Sequence, residues 1–210
     1  MEYNPGQTIV EPWNSLSSLL ILIPAIYWFI RLRKENNNSP LFRIVLILII
    51  TGGLGSTLFH AFRISLIFLY MDVLPSAILT ITLAIYFWYR VLKRWYYVAL
   101  IFLPLIGLRF VFWNNLPEHT AINVSYFITG LSVGLPLIIY LFQTQFKGWH
   151  SIALTIIFFA IALTFRQLDK IYFEFLPMGT HFLWHSFSAI GAYFILNYLH
   201  DIIRNSGLKI

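Results

Sequence analysis

The sequence contains no cysteine, which removes disulfides, thiolate metal ligands and a cysteine nucleophile together. Any metal must then be held by histidine and carboxylate. Charge is scarce as well: 10% of the 210 residues are charged and 59% are hydrophobic, whereas soluble domains carry about 25% charged and about 45–50% apolar residues. A water-soluble fold of this length cannot hide so much apolar surface, so a bilayer is the solvent for most of the chain. The first residues, MEYNPGQTIVEPWN, lack a basic stretch leading into a cleavable apolar one. No signal peptide is expected, and the first helix should remain as an anchor.

Aromatic residues are abundant, with 20 Phe, 12 Tyr and 7 Trp, many of them near the ends of apolar runs where an interfacial belt lies. The net charge of +6 comes from short basic clusters between apolar runs. That pattern is a topology signal rather than a nucleic-acid surface, and no nucleic-acid partner is expected.

Apolar runs of spanning length fall at roughly 15–30, 41–62, 65–88, 95–112, 121–142, 150–167 and 178–200, each near the ~20 residues that cross the hydrocarbon. The connections are short. The fold class is therefore all-α, an integral, multi-pass membrane protein with a seven-transmembrane-helix bundle, expected as one domain over residues 1–210. Of the 14 basic residues, Arg31, Arg33, Lys34, Arg43, Arg90, Lys93, Arg94, Lys147, Arg204 and Lys209 fall on one side. Arg63, Arg109, Arg166 and Lys170 fall on the other. Because cytoplasmic loops are enriched in Lys and Arg, the N-terminus is expected outside or lumenal and the C-terminus cytoplasmic.

Charged and imidazole side chains inside a spanning helix cost about 2.5–3.5 kcal/mol on insertion scales, so each one asks for a partner or a role. His181 and His185 are four apart and share one face of helix 7, a recurrent half of a zinc site. Ser56 and His60 repeat that spacing on helix 2. Helix 2 runs outward while helices 3 and 7 run inward, so His60, His181, His185 and Asp72 should reach one layer on the outer side. Three histidines with an open fourth position describe a catalytic zinc. Asp72 is then a general base for water or, equally, an acceptor for a ligand N–H. Ser56 either serves the site or is satisfied by the carbonyl one turn back.

Gly52, Gly53 and Gly55 read as close helix packing. Asn14 or Ser15 reads as the cap of helix 1, and Glu11 as a solvated acid of its first turn. His119, His150 and His200 fall at helix ends in the interface and are given no role.

At these residues the chain resembles the alkaline ceramidase family, within a wider seven-helix group that includes the progestin and adipoQ receptors. The resemblance is carried by E-x-W-N into helix 1, G-x-G-S-x-x-F-H on helix 2, M-D-x-x-P on helix 3, and H-x-x-W-H followed by G-A-Y on helix 7. It implies zinc held by His60, His181 and His185, with Asp72 and Ser56 as catalytic residues. It also implies hydrolysis of the N-acyl bond of ceramide-like sphingolipids, the lipid entering laterally from the bilayer. Ceramidases usually show D-E-x-P on helix 3, where Val73 stands here. Of their acidic calcium-binding segment before helix 1, only Glu11, Trp13 and Asn14 can be matched to a possible Ca2+ site.

Three other functions compete with this one. One is a progestin and adipoQ receptor-like or hemolysin III-like membrane protein whose zinc site hydrolyses weakly or not at all; turnover separates it from an enzyme. A retinal protein is disfavoured because helix 7 has no lysine between 178 and 200 for a Schiff base. A serine protease built on Ser56 leaves the H-x-x-W-H pair without purpose.

Overall fold

In lipid a backbone finds no water to bond, so each apolar run must close its own hydrogen bonds as a helix. The computed structural model describes residues 2–37, 39–169, 171 and 174–205, with backbone alone at 118, 119, 122 and 126. Among the described residues there are seven helices and no strand. They are α1 (Pro12–Lys34, tightened into a 3-10 turn at Leu19–Ile21), α2 (Pro40–Phe62), α3 (Leu66–Leu92) and α4 (Trp95–Asn115), then α5 (Glu118–Gln143), α6 (Trp149–Leu168) and α7 (His181–Asn205). Lys170 and Lys209, two of the residues used for orientation, and the side chain of His119 lie outside the described residues.

Six of the seven are long and apolar enough to cross a membrane, and α7 is the one that is not. Its 25 residues make it ~37 Å long at 1.5 Å per residue, so length is sufficient. Composition sets it apart, since it carries His181, His185, Ser186, Ser188, Asn197, His200, Asp201 and Arg204. The outer faces of the other helices fit a lipid solvent: Leu103, Ile106 and Phe110 on α4 are each more than 60% exposed.

Helix 1 begins earlier than expected. Pro12 opens it, where a missing N–H costs nothing, and the carboxylate of Glu2 accepts from the N–H groups of Trp13 (3.2 Å) and Asn14 (3.1 Å). The expectation of Asn14 or Ser15 as cap is thereby corrected; an acid eleven residues upstream does the capping.

The helices fall into two compact units, residues Met1–Ile78 with Gly148–Ile210, and residues Leu79–Lys147. In the first, α6 runs along α7 through a ladder of stacked rings, Phe158 on Phe194 (5.7 Å) and Phe165 on Phe187 (5.5 Å). The glycines of α2 serve close approach, as expected. A Cβ on Gly53 would lie 2.8 Å from Leu22 of α1, and one on Gly55 would overlap the backbone of Met71 and Asp72 on α3. Pro75 has no N–H to return to the carbonyl of Met71, so α3 meets α2 at a carbonyl that lacks its helical donor. In the second unit, Trp88 donates through Nε1 to the carbonyl of Ser132 (3.1 Å), and Arg90 donates to the Tyr140 hydroxyl (2.7 Å).

The reading of His200 as an ordinary interfacial histidine is also corrected. It is fully buried, its Nε2 lies 2.6 Å from Glu35 Oε2, and its ring packs on Trp28 (4.9 Å). The bond joins the end of α7 to the turn after α1.

Candidate metal centre

The last turn of α2 leaves carbonyl groups without helical donors, and the segment before α1 supplies them. Val10 N–H donates to Ala61 O (2.8 Å) and Glu11 N–H to His60 O (3.1 Å). This pairing lays the Glu11 side chain against His60. The chain then leaves α2 through Arg63 in the left-handed region (φ 53°), a conformation that a non-glycine residue adopts only when its surroundings hold it there. Its side chain holds it there: the guanidinium lies over Phe59 (4.7 Å) and bonds Glu11 Oε1 through Nε (2.7 Å) and NH2 (2.6 Å).

Glu11 is 1% exposed, so the solvated acid expected from the sequence is corrected to a buried one. Its Oε2 meets His60 Nδ1 at 2.5 Å and Asn14 Nδ2 at 3.1 Å. Burial pushes its carboxyl up, but the bonds from His60 and Asn14 and the positive Arg63 outweigh this and hold it below the ordinary carboxylate value. An ionised carboxylate only accepts. His60 Nδ1 is therefore the N–H, and its Nε2 carries the lone pair.

The same logic fixes His185. Its Nδ1 lies 2.9 Å from Ser17 Oγ and 3.1 Å from Ser18 Oγ. Ser17 donates its proton to the carbonyl of Asn14, and Ser18 donates to Asn14 or to Ser56 Oγ (3.1 Å). With the hydroxyl protons given to Asn14 and Ser56, the serine oxygens accept from Nδ1, an arrangement that keeps the Nε2 lone pair for a ligand.

His181 is set by the start of α7. The carboxylate of Asp169 accepts from the N–H groups of Thr180 (2.9 Å) and His181 (3.1 Å), which caps the helix and fixes the rotation of its first turn.

These three frames converge. The rings of His60, His181 and His185 form a triangle with centroid separations of 5.1, 5.1 and 4.7 Å, and one nitrogen of each lies within 4.8 Å of the others. The donor set fits a divalent metal. All three ligands are imidazoles, and two have the far nitrogen bonded to a carboxylate or hydroxyls, which is how metal-binding histidines are usually oriented.

Ser56, 2% exposed, is linked through Ser18 to His185, and the close approach of α3 at Gly52 and Gly55 brings the backbone of Asp72 against the same stretch of α2. The sequence-predicted His60, His181, His185, Ser56 and Asp72 thus stand together. Of the residues matched to a calcium segment, Glu11 is turned inward, Asn14 bonds it, and the half-exposed Trp13 packs on Phe182 (6.0 Å).

Sequence reasoning missed Glu11 and Arg63 as partners of His60, Ser17 and Ser18 as partners of His185, and Asp169 as the cap of α7. One signal was available, because three serines within residues 15–18 at the start of a spanning helix put hydroxyls where no water is present to satisfy them.

No curated protein matches the chain. A family model described as Ceramidase matches residues 1–206, nearly the whole length, and the chain therefore belongs to the ceramidase family.

Proposed function

We propose that this chain is a zinc-dependent amide hydrolase that cleaves the N-acyl bond of ceramide-like sphingolipids to a sphingoid base and a fatty acid. The observation that carries the reading is the convergence of three imidazoles, one ligand nitrogen of each of His60, His181 and His185 lying within 4.8 Å of the others, with Glu11 and two serines on the Nδ1 of His60 and His185. Membership of the family supports the hydrolase class.

His60, His181 and His185 would hold the zinc, leaving a fourth position for substrate or water. When bound, the metal supplies a Lewis acid for the amide carbonyl and makes water easier to deprotonate. Asp72 accepts the proton from the water that attacks the carbonyl carbon, then returns it to the departing amine nitrogen as the C–N bond breaks. Ser56 donates to Asp72 and keeps its oxygens aimed at the attacking water. Glu11 is assigned to His60 rather than to calcium. Beside Asp72 on α3, Tyr70, Val73 and Leu74 are each about half exposed (56%, 49% and 51%). A ceramide can therefore approach this helix from the bilayer rather than from water. The basic-residue bias supports an outer or lumenal position for this layer.

Asp72→Asn tests the base. It keeps the shape and removes the basic oxygen, so zinc should stay bound while ceramide turnover falls about 10²–10⁴-fold. Wild-type turnover by the zinc-loaded variant would overturn the assignment.

A further inference from the structure

At the other end of α1 and α2 the same two helices enclose a cleft of about 650 Å³. Its distance from the histidines is set by α2 itself: Arg43 and His60 are 17 residues apart, ~26 Å along a helix. The two sites lie toward opposite membrane faces.

The cleft is divided by polarity. Arg33, Asn36, Asn37 and Arg43 line one part, and Leu32, Leu46 and Ile50 line the rest together with Phe29 and Ile47. Arg33 lies over the Phe29 ring (5.1 Å), a contact with the flat face of the guanidinium that leaves its N–H edges able to donate. Asn37 uses Oδ1 to accept from Ser39 N–H (3.0 Å), so its remaining polar group is a donor. The acid of this region, Glu35, is already engaged by Arg31 (2.9 Å) and His200 (2.6 Å). Among the described residues of the lining, none is acidic.

A cleft that joins two guanidinium groups and amide donors to an aliphatic wall, at the ends of two spanning helices, matches one kind of molecule. We propose that it binds an anionic glycerophospholipid, the phosphate against Arg33 and Arg43 and the upper acyl chain along Leu46 and Ile50. Arginine suits this role because its fork meets two phosphate oxygens at once. Basic pockets between spanning helices are a recurring way of holding such headgroups. A soluble phosphate shares the headgroup chemistry but leaves the aliphatic wall uncovered.

The experiment places the full-length protein in nanodiscs and competes lipids by native mass spectrometry, with phosphatidylglycerol and phosphatidylcholine as the probes. The expected result is retention of phosphatidylglycerol over phosphatidylcholine. Arg33→Gln and Arg43→Gln should each weaken that preference about fivefold, the effect of one basic residue near anionic lipid. Ile50→Trp, which fills the apolar part and leaves both arginines, should also weaken it. Arg94→Gln, at a basic cluster elsewhere in the chain, should not. Equal weakening by Arg94→Gln would mean a general surface charge effect and overturn the site. An unchanged preference in the Arg33→Gln/Arg43→Gln protein would do the same. If inorganic phosphate at millimolar concentration displaced the lipid and Ile50→Trp had no effect, the ligand would be a free phosphate and the lipid proposal would fall.

Discussion

Two buried histidines of this protein are each bonded to a glutamate, and the two bonds are nearly the same length: His60 to Glu11 at 2.5 Å and His200 to Glu35 at 2.6 Å. Their surroundings differ. His60 faces two more imidazoles, with ligand nitrogens within 4.8 Å, whereas His200 faces the rings of Trp28 and Phe42 (4.9 and 6.4 Å). A carboxylate on one nitrogen prepares a histidine to give its other lone pair, but that lone pair has a use only where other donors converge. On the proposed function the first pair serves a metal site, while the second joins α7 to the turn after α1.

The comparison breaks most severely at the ligands. His185→Ala or His181→Ala should remove both metal and turnover, read by elemental analysis and by release of sphingoid base, whereas His200→Phe should leave both. Metal retained in a His60/His181/His185 triple alanine variant would place the ion elsewhere.

Next in size is the approach of α3. Gly55→Ala forces the backbone at Met71 and Asp72 away, so turnover should fall by about tenfold or more with zinc still bound, since small misplacements of a catalytic group are costly. Equal loss of metal and turnover would mean that α2 itself had been disturbed.

Glu11→Gln sharpens the comparison from the other side. The amide still accepts from His60 Nδ1 but carries no charge, and loss of such a partner usually costs about 10–100-fold in metal affinity. Competition with a chelator of known affinity measures this. The matching change, Glu35→Gln, should leave metal affinity unchanged.

The smallest effect is on stability. His200→Phe keeps the ring volume and removes the bond to Glu35, for a loss of about 1 kcal/mol, seen as a lower Tm. The bond from Arg31, then that from His200, hold the Glu35 carboxyl below its ordinary value of 4.5. Its contribution is complete above that value and disappears as pH falls through the lowered one. Wild type should therefore lose stability between neutral and strongly acidic pH by more than Glu35→Gln does.

How far the sequence foretold this arrangement depends on the range of the interaction. The four-residue spacing of His181 and His185, the alternating direction of the helices and the depth of Asp72 are local or topological quantities, and they led to three histidines that the fold does bring together. Seven apolar runs led to seven helices, with ends displaced by a few residues where caps decide them. The partners of the histidines were not legible in the same way. Glu11 reaches His60 across 49 positions, through backbone pairing at the end of α2, and Asp169 caps α7 from the far side of a loop. Charge alone presented Glu11 as a solvated acid, because nothing local reveals that Arg63 turns back to cover it. His200 was passed over for the same reason: its partner lies 165 positions away.

Whether this histidine cluster is a hydrolytic metal site is decided by one titration. Purified protein is stripped with a strong chelator, zinc is returned in measured steps, and release of sphingoid base from ceramide is followed. A hydrolytic zinc site gives no activity in the stripped protein and full recovery at about one zinc per chain. Undiminished activity without metal would contradict it, and so would a folded, zinc-loaded protein that releases no sphingoid base from any N-acyl lipid, which would favour a receptor-like role.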